Sequence, residues 1–194
     1  MTDNTKRLTC TLAFSALILL LGLLGSSVNH SLQFQPQAIA QGEIWRVLSG
    51  HMVHLGINHT LLNLAGLWLI MLWVGDSFSV RHWLLVFVLL CLGTSACLYF
   101  LPPVIGYYAG LSGVLHGLLV YGLWPSVLKK IPLALIALVV IISKLAYEQW
   151  VPGSQAATES FIAAPVVAIA HVYGAISGLL LAIGWGVLRF KSAA

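Results

Sequence analysis

Three observations predict an all-α membrane protein, built as one bundle of six transmembrane helices over residues 1–194. The 194-residue chain is 60% hydrophobic and 7% charged, with a mean hydropathy of +0.98. A soluble domain is about 25% charged, so nine basic and five acidic side chains are too few to coat a globule. The apolar residues fall into six long runs, each close to the ~20 residues a helix needs to cross a bilayer. These runs are continuous rather than alternating, which excludes a β-barrel. A soluble enzyme, a secreted disulfide scaffold and a disordered tail are excluded by the same numbers.

The first run, 8–28, follows Lys6 and Arg7. Ala38-Ile39-Ala40 resembles a signal-peptide cleavage site, but it lies far downstream of an apolar core longer than signal peptides carry. The run is therefore read as a retained helix. The next stretch, 29–57, carries Trp45 and Arg46 among mixed apolar residues and is expected to lie in the outer interface of the membrane, where Trp is enriched. Runs 58–75 and 82–101 follow, separated by a tight connection at 76–81. A break at Pro102-Pro103 leads into run 105–124, and a second tight connection at 125–130 leads into run 131–150. Residues 151–164, with Pro152, Gly153 and small polar side chains, read as a mobile loop before the last run, 165–188. Long connections outside and short ones inside imply that any chemistry opens outward.

Orientation follows from Lys and Arg in the short loops. With the N-terminus inside, Lys6, Arg7, Arg81, Lys129, Lys130, Arg189 and Lys191 are cytoplasmic, while Arg46 and Lys144 fall toward the other face. Both termini are thus expected in the cytoplasm, and the net charge of +4 reports topology rather than a nucleic-acid partner. Cys10, Cys91 and Cys97 offer neither a disulfide framework nor a metal-ligand spacing, so no metal or cofactor is expected. Matching interrupted runs, the mark of an inverted-repeat transporter, are missing. Nothing in the sequence assigns an oligomeric state.

Ionisable groups within a membrane span are functional candidates by default. His59 and Asn63 lie four apart near the outer end of the second run, on one helical face. Ser112 sits in Gly110-Leu111-Ser112-Gly113 near the outer end of the fourth. His171 lies below the outer end of the sixth. Three helices thus place polar groups at one depth, and this convergence outweighs reading each as packing glue or a structural hydrogen-bonder. Gly113 and Gly117 in the fourth run, and Gly174 and Gly178 in the sixth, form Gly-xxx-Gly patterns that permit close backbone approach. His171 shares a face with Gly174 and Gly178. If the two helices pack through these faces, His171 points at Ser112, as a nucleophile and its base require. The backbone N–H of Ser112, Asn63 and His59 could supply oxyanion donors.

No carboxylate looks placed to complete a triad. Glu148 is expected to form a structural pair with Lys144 one turn earlier, so a Ser–His dyad is expected. His116, four residues after Ser112, could hydrogen-bond to the dyad or to substrate. His30, His51, His54 and His82 are given no role. A haem carrier would use histidine pairs on facing helices, but would leave Ser112 and its glycines unexplained.

At these residues the chain resembles the rhomboid intramembrane serine proteases. The resemblance spans Trp45-Arg46, His59-Thr60-Leu61-Leu62-Asn63, Gly110-Leu111-Ser112-Gly113 and Ala170-His171 through Gly178, in that order. It implies that Ser112 is the nucleophile, His171 its base, and His59 and Asn63 the oxyanion donors; Gly110, Gly113 and His116 are expected in supporting roles. Many rhomboids carry an aromatic residue four after the serine, stacked beneath the histidine; here that position is His116. Gly-Leu-Ser-Gly-Val-Leu-His-Gly (110–117) and Lys-Leu-Ala-Tyr-Glu-Gln (144–149) are similar to the rhombosortase branch. That likeness implies a transmembrane substrate with a C-terminal Gly-Gly sorting signal, cut at the periplasmic side of a Gram-negative inner membrane.

Overall fold

The computed structural model describes residues 3–192, with side chains over 3–186. In chain order its helices are α1 (Asp3–Leu23), α2 (Ser26–Leu32), α3 (Pro36–Ala40), α4 (Arg46–Ser49), α5 (Ile57–Val74), α6 (Val80–Phe100), α7 (Ser112–Leu128), α8 (Pro132–Trp150), α9 (Ala156–Ile162) and α10 (Ala168–Ser192). Five of them (α1, α5, α6, α8 and α10) are long and apolar enough to cross a membrane, and α7 is a shorter apolar helix. The chain is an integral membrane protein. Of the basic residues counted for orientation, the side chains of Arg189 and Lys191 lie outside the described residues.

Two expected spans shift. The helix expected over 8–28 ends at Leu23, where Gly25 at φ +85° breaks the backbone. The helix expected over 105–124 begins only at Ser112 and runs on to Leu128. Residues before it are held extended, because Phe34 and Tyr108 exchange two backbone hydrogen bonds of 2.9 Å each in an isolated antiparallel bridge. Gly110 then adopts φ +135°, a left-handed value that L side chains rarely take, and the chain turns into α7. At 17 residues, α7 spans about 25 Å.

The 29–57 stretch is ordered. It folds into α3, α4 and the end of α2, fastened by one buried guanidinium. Arg46 Nη1 donates to the carbonyls of His30 and Gln33, both at 2.8 Å, and Nε donates to Glu43 Oε2 at 2.7 Å. The carbonyls belong to the end of α2, where a helix leaves acceptors unpaired, so the charge is satisfied without water. Trp45 beside it is half exposed, as an interface anchor should be. His51 ties the segment to α6. Ser95 Oγ donates to Val47 O at 2.7 Å, which leaves it to accept from His51 Nε2 at 2.9 Å.

At the centre stands α7, packed against α5, α6, α8 and α10, with its widest interface to α10. That interface is backbone on backbone. A Cβ at Gly117 would meet Gly174 O at 2.6 Å, and one at Gly174 or Gly178 would land on the carbonyl of Gly113 or Gly117. The Gly-xxx-Gly faces do pack together. At the periphery, only 11% of the apolar window of α8 is buried, against 44% for α10. α8 therefore turns most of its surface outward, beside a tightly built pair.

Candidate active site

The close approach of α7 and α10 sets the distance between their side chains. Ser112 opens α7 and His171 lies one turn before Gly174 on α10, and Ser112 Oγ is 2.9 Å from His171 Nε2. Gly113 could not carry a side chain here, since a Cβ would meet Ala170 O at 2.8 Å and Tyr108 Oη at 3.2 Å. Gly110 could not either. Beyond its left-handed φ, a Cβ would sit 2.9 Å from the His59 ring, so the turn into α7 is pressed against α5.

His171 is only 6% exposed, and most buried polar groups find a hydrogen-bond partner. Its Nδ1 lies 2.8 Å from Glu148 Oε2 on α8. The expectation that no carboxylate reaches the histidine therefore does not hold. Glu148 does pair with Lys144, at 2.7 Å, but that ion pair occupies Oε1 alone and leaves Oε2 for His171. Lys144 also reaches His116, with Nζ 3.2 Å from Nε2. His116 Nδ1 lies 2.7 Å from the Ser112 carbonyl, and its ring stacks on His171 with centroids 4.4 Å apart and planes 20° from parallel. The network assigns the tautomers. A carbonyl only accepts, so His116 carries its proton on Nδ1 and accepts from the Lys144 ammonium on Nε2. A carboxylate only accepts, so His171 carries its proton on Nδ1, and its bare Nε2 faces the Ser112 hydroxyl.

Asn63 is buried and its Nδ2 donates one hydrogen to His59 O at 2.9 Å, the one side-chain bond it makes among the described residues. His59 Nδ1 has no hydrogen-bond partner among the described residues. The Ser112 N–H lies in the first turn of α7, where helix geometry supplies no intrahelical acceptor. All these groups line one cavity of about 880 Å³ between α5 and α8. Its polar end holds Ser112, His171, Asn63 and His59; its apolar end continues past Leu115 and Ile141 to Leu72 and Trp73.

Sequence reasoning passed over two supports of the Ser112 turn. Leu111 N–H donates to His54 Nε2 at 3.3 Å, and burial pushes the His54 pKa down to about 3, so the ring stays a neutral acceptor. Gly113 N–H donates to Tyr108 Oη at 3.2 Å. Neither residue falls in a periodic pattern that would single it out; Tyr108 lies two residues before Gly110, and His54 has only its place five residues before His59.

A hydroxyl, an imidazole and a carboxylate in hydrogen-bonded series form the arrangement of an activated nucleophile. A Rhomboid domain profile matches residues 41–189, well over half of the chain. The chain belongs to the rhomboid family. Rhomboid proteins are typically serine proteases acting on transmembrane substrates, and the matched span contains each polar residue of the cavity. No curated protein sequence matches this rhomboid.

Proposed function

We propose that this rhomboid is an intramembrane serine endopeptidase, with Ser112 as nucleophile and His171 as its base. The observation that carries the reading is the 2.9 Å contact from His171 Nε2 to Ser112 Oγ, at the wall of a cavity of about 880 Å³. Ser112 Oγ attacks the scissile carbonyl as His171 Nε2 takes its proton. The new oxyanion is met by the Asn63 amide, His59 and the Ser112 N–H. His171 then returns the proton to the departing amine, and a nucleophile from solvent releases the acyl group. No step needs a metal or cofactor.

The Lys and Arg residues of α1, α6 and the end of α7 cluster at the end of the bundle opposite Ser112. Arg7 reaches the Gly75 carbonyl at 3.1 Å beyond the last turn of α5, and Lys129 and Lys130 follow α7. That basic end is cytoplasmic by the positive-inside bias, so both termini are cytoplasmic and the site opens to the outer side, the periplasm of a Gram-negative inner membrane. The substrate is the C-terminal sorting helix of an exported protein, cut at its Gly-Gly motif. In support, the two stretches that resemble rhombosortases, 110–117 and 144–149, meet around one cavity, and glycines unwind a substrate helix at little cost. The test is co-expression of a Gly-Gly-tailed membrane substrate with wild type, Ser112→Ala and His171→Ala, read on a gel. Cleavage by wild type alone supports the reading. Cleavage only of single-span substrates lacking the tail keeps the protease and removes the sorting signal. No cleavage of any substrate leaves a binding module.

Access is proposed between α5 and α8, beneath α9. This loop helix is pinned to α5 where Asn58 Nδ2 donates to Phe161 O at 2.8 Å. Joining Asn58→Cys to Phe161→Cys with a short cross-linker is expected to cut turnover of a membrane-embedded substrate at least tenfold, with recovery on reduction. Unchanged turnover would remove the gate from this position.

A further inference from the structure

We propose that Glu148 is the positioning residue of the Ser112–His171 pair, and that Lys144 and His116 fix which way it faces; this rests on the protease reading above. Four side chains from three helices close a circuit. His171 is hydrogen-bonded to Glu148 at 2.8 Å, Glu148 to Lys144 at 2.7 Å, Lys144 to His116 at 3.2 Å, and His116 stacks back on His171. Each carboxylate oxygen has one donor: Oε1 takes Lys144 and Oε2 takes His171. The ammonium and carboxylate cancel in charge, so the circuit can lie against the bilayer core.

The backbone of Glu148 is anchored as well. In a continuing helix its carbonyl would accept from the N–H of residue 152, but Pro152 has none. Gln155 Nε2 donates to it instead at 2.7 Å, with Ser154 Oγ at 3.5 Å. The end of α8 is thereby tied down at the residue whose carboxylate meets His171.

This circuit gives Glu148→Gln an unusual consequence. A glutamine keeps the shape, and its amide could turn either end toward His171. Lys144 can only donate, so it claims the amide oxygen and turns the NH₂ toward His171 Nδ1. Nδ1 must then be bare and Nε2 protonated, which aims a proton at Ser112 and disables the base. In soluble serine proteases the equivalent wrong tautomer lowers kcat about 10⁴-fold.

The experiment compares purified full-length wild type, Glu148→Gln, Lys144→Met and the double variant. The readouts are the rate of Ser112 modification by a fluorophosphonate, kcat and KM on a cleavable substrate, and Tm. Glu148→Gln is expected to lose at least about 100-fold in kcat and labelling rate, with KM within about twofold and Tm unchanged. Adding Lys144→Met frees the amide to flip and is expected to restore at least about tenfold over Glu148→Gln alone. A purely structural Glu148 would make the double variant as poor as the worse single one. Glu148→Gln as active as wild type, or a double variant no better than Glu148→Gln, overturns the inference and leaves the protease standing. Wild type that neither cleaves nor labels overturns both.

Discussion

Ser112→Ala is expected to abolish cleavage, lowering turnover by at least about 10⁴-fold while the protein still folds, and His171→Ala is expected to match it. The two should be equally damaging, because a hydroxyl without its base and a base without its hydroxyl both leave nothing to attack the carbonyl. Folding should survive Ser112→Ala. The residue is half-buried against an open cavity, so the freed His171 Nε2 can be met by water, and a hydrogen bond exchanged for one to water costs about 1 kcal/mol or less. Purified protein in detergent, assayed by substrate cleavage and fluorophosphonate labelling, gives the answer. Several per cent of residual cleavage in Ser112→Ala would mean that another group carries the chemistry.

Gly174→Ala is expected to damage both stability and activity, although it adds one methyl group. The added Cβ lands on the Gly113 carbonyl, backbone that cannot rotate aside, so α7 and α10 must separate. Overpacking of this kind costs about 1–3 kcal/mol, and the separation opens the 2.9 Å contact from His171 to Ser112 three residues away. Activity should therefore fall more than tenfold in protein that still folds. Gly184→Ala, on the same helix, is the control. Nothing lies within 4 Å of a Cβ there, and replacing a helical glycine by alanine gains up to about 1 kcal/mol. Thermal unfolding in detergent alongside cleavage separates the two variants. Equal behaviour would mean that the glycine contact does not set the site.

The sequence carries the parts of this molecule that depend on composition and on spacing along one helix. Six apolar runs announce five helices long enough to cross a membrane and the shorter α7, and Gly174 and Gly178 in register with His171 announce the helix pair that brings Ser112 and His171 together. The start of α7 was hidden because Ile105 to Ala109 carries no charge and runs on without a break into the apolar stretch of α7. Extended backbone there depends on Phe34, a partner far away in the chain. The order in 29–57 was hidden because Arg46 acts on carbonyls, which no side-chain pattern reports. Glu148 shows the limit most plainly. Its bond to Lys144 is an i,i+4 pair visible in the sequence, whereas its bond to His171 depends on where α8 sits against α10.

The glycine contact between α7 and α10 also acts as a fulcrum. The helices touch along the run from Gly113 and Gly174 to Gly117 and Gly178, and a small rotation about that run moves each part in proportion to its distance from it. Ser112 adjoins Gly113 and His171 lies one turn from Gly174, so both have almost no lever arm. Any rotation about this contact would move the far ends of the helices most and these two side chains least. The most distance-sensitive pair of the molecule therefore sits where relative helix motion has the smallest effect on it.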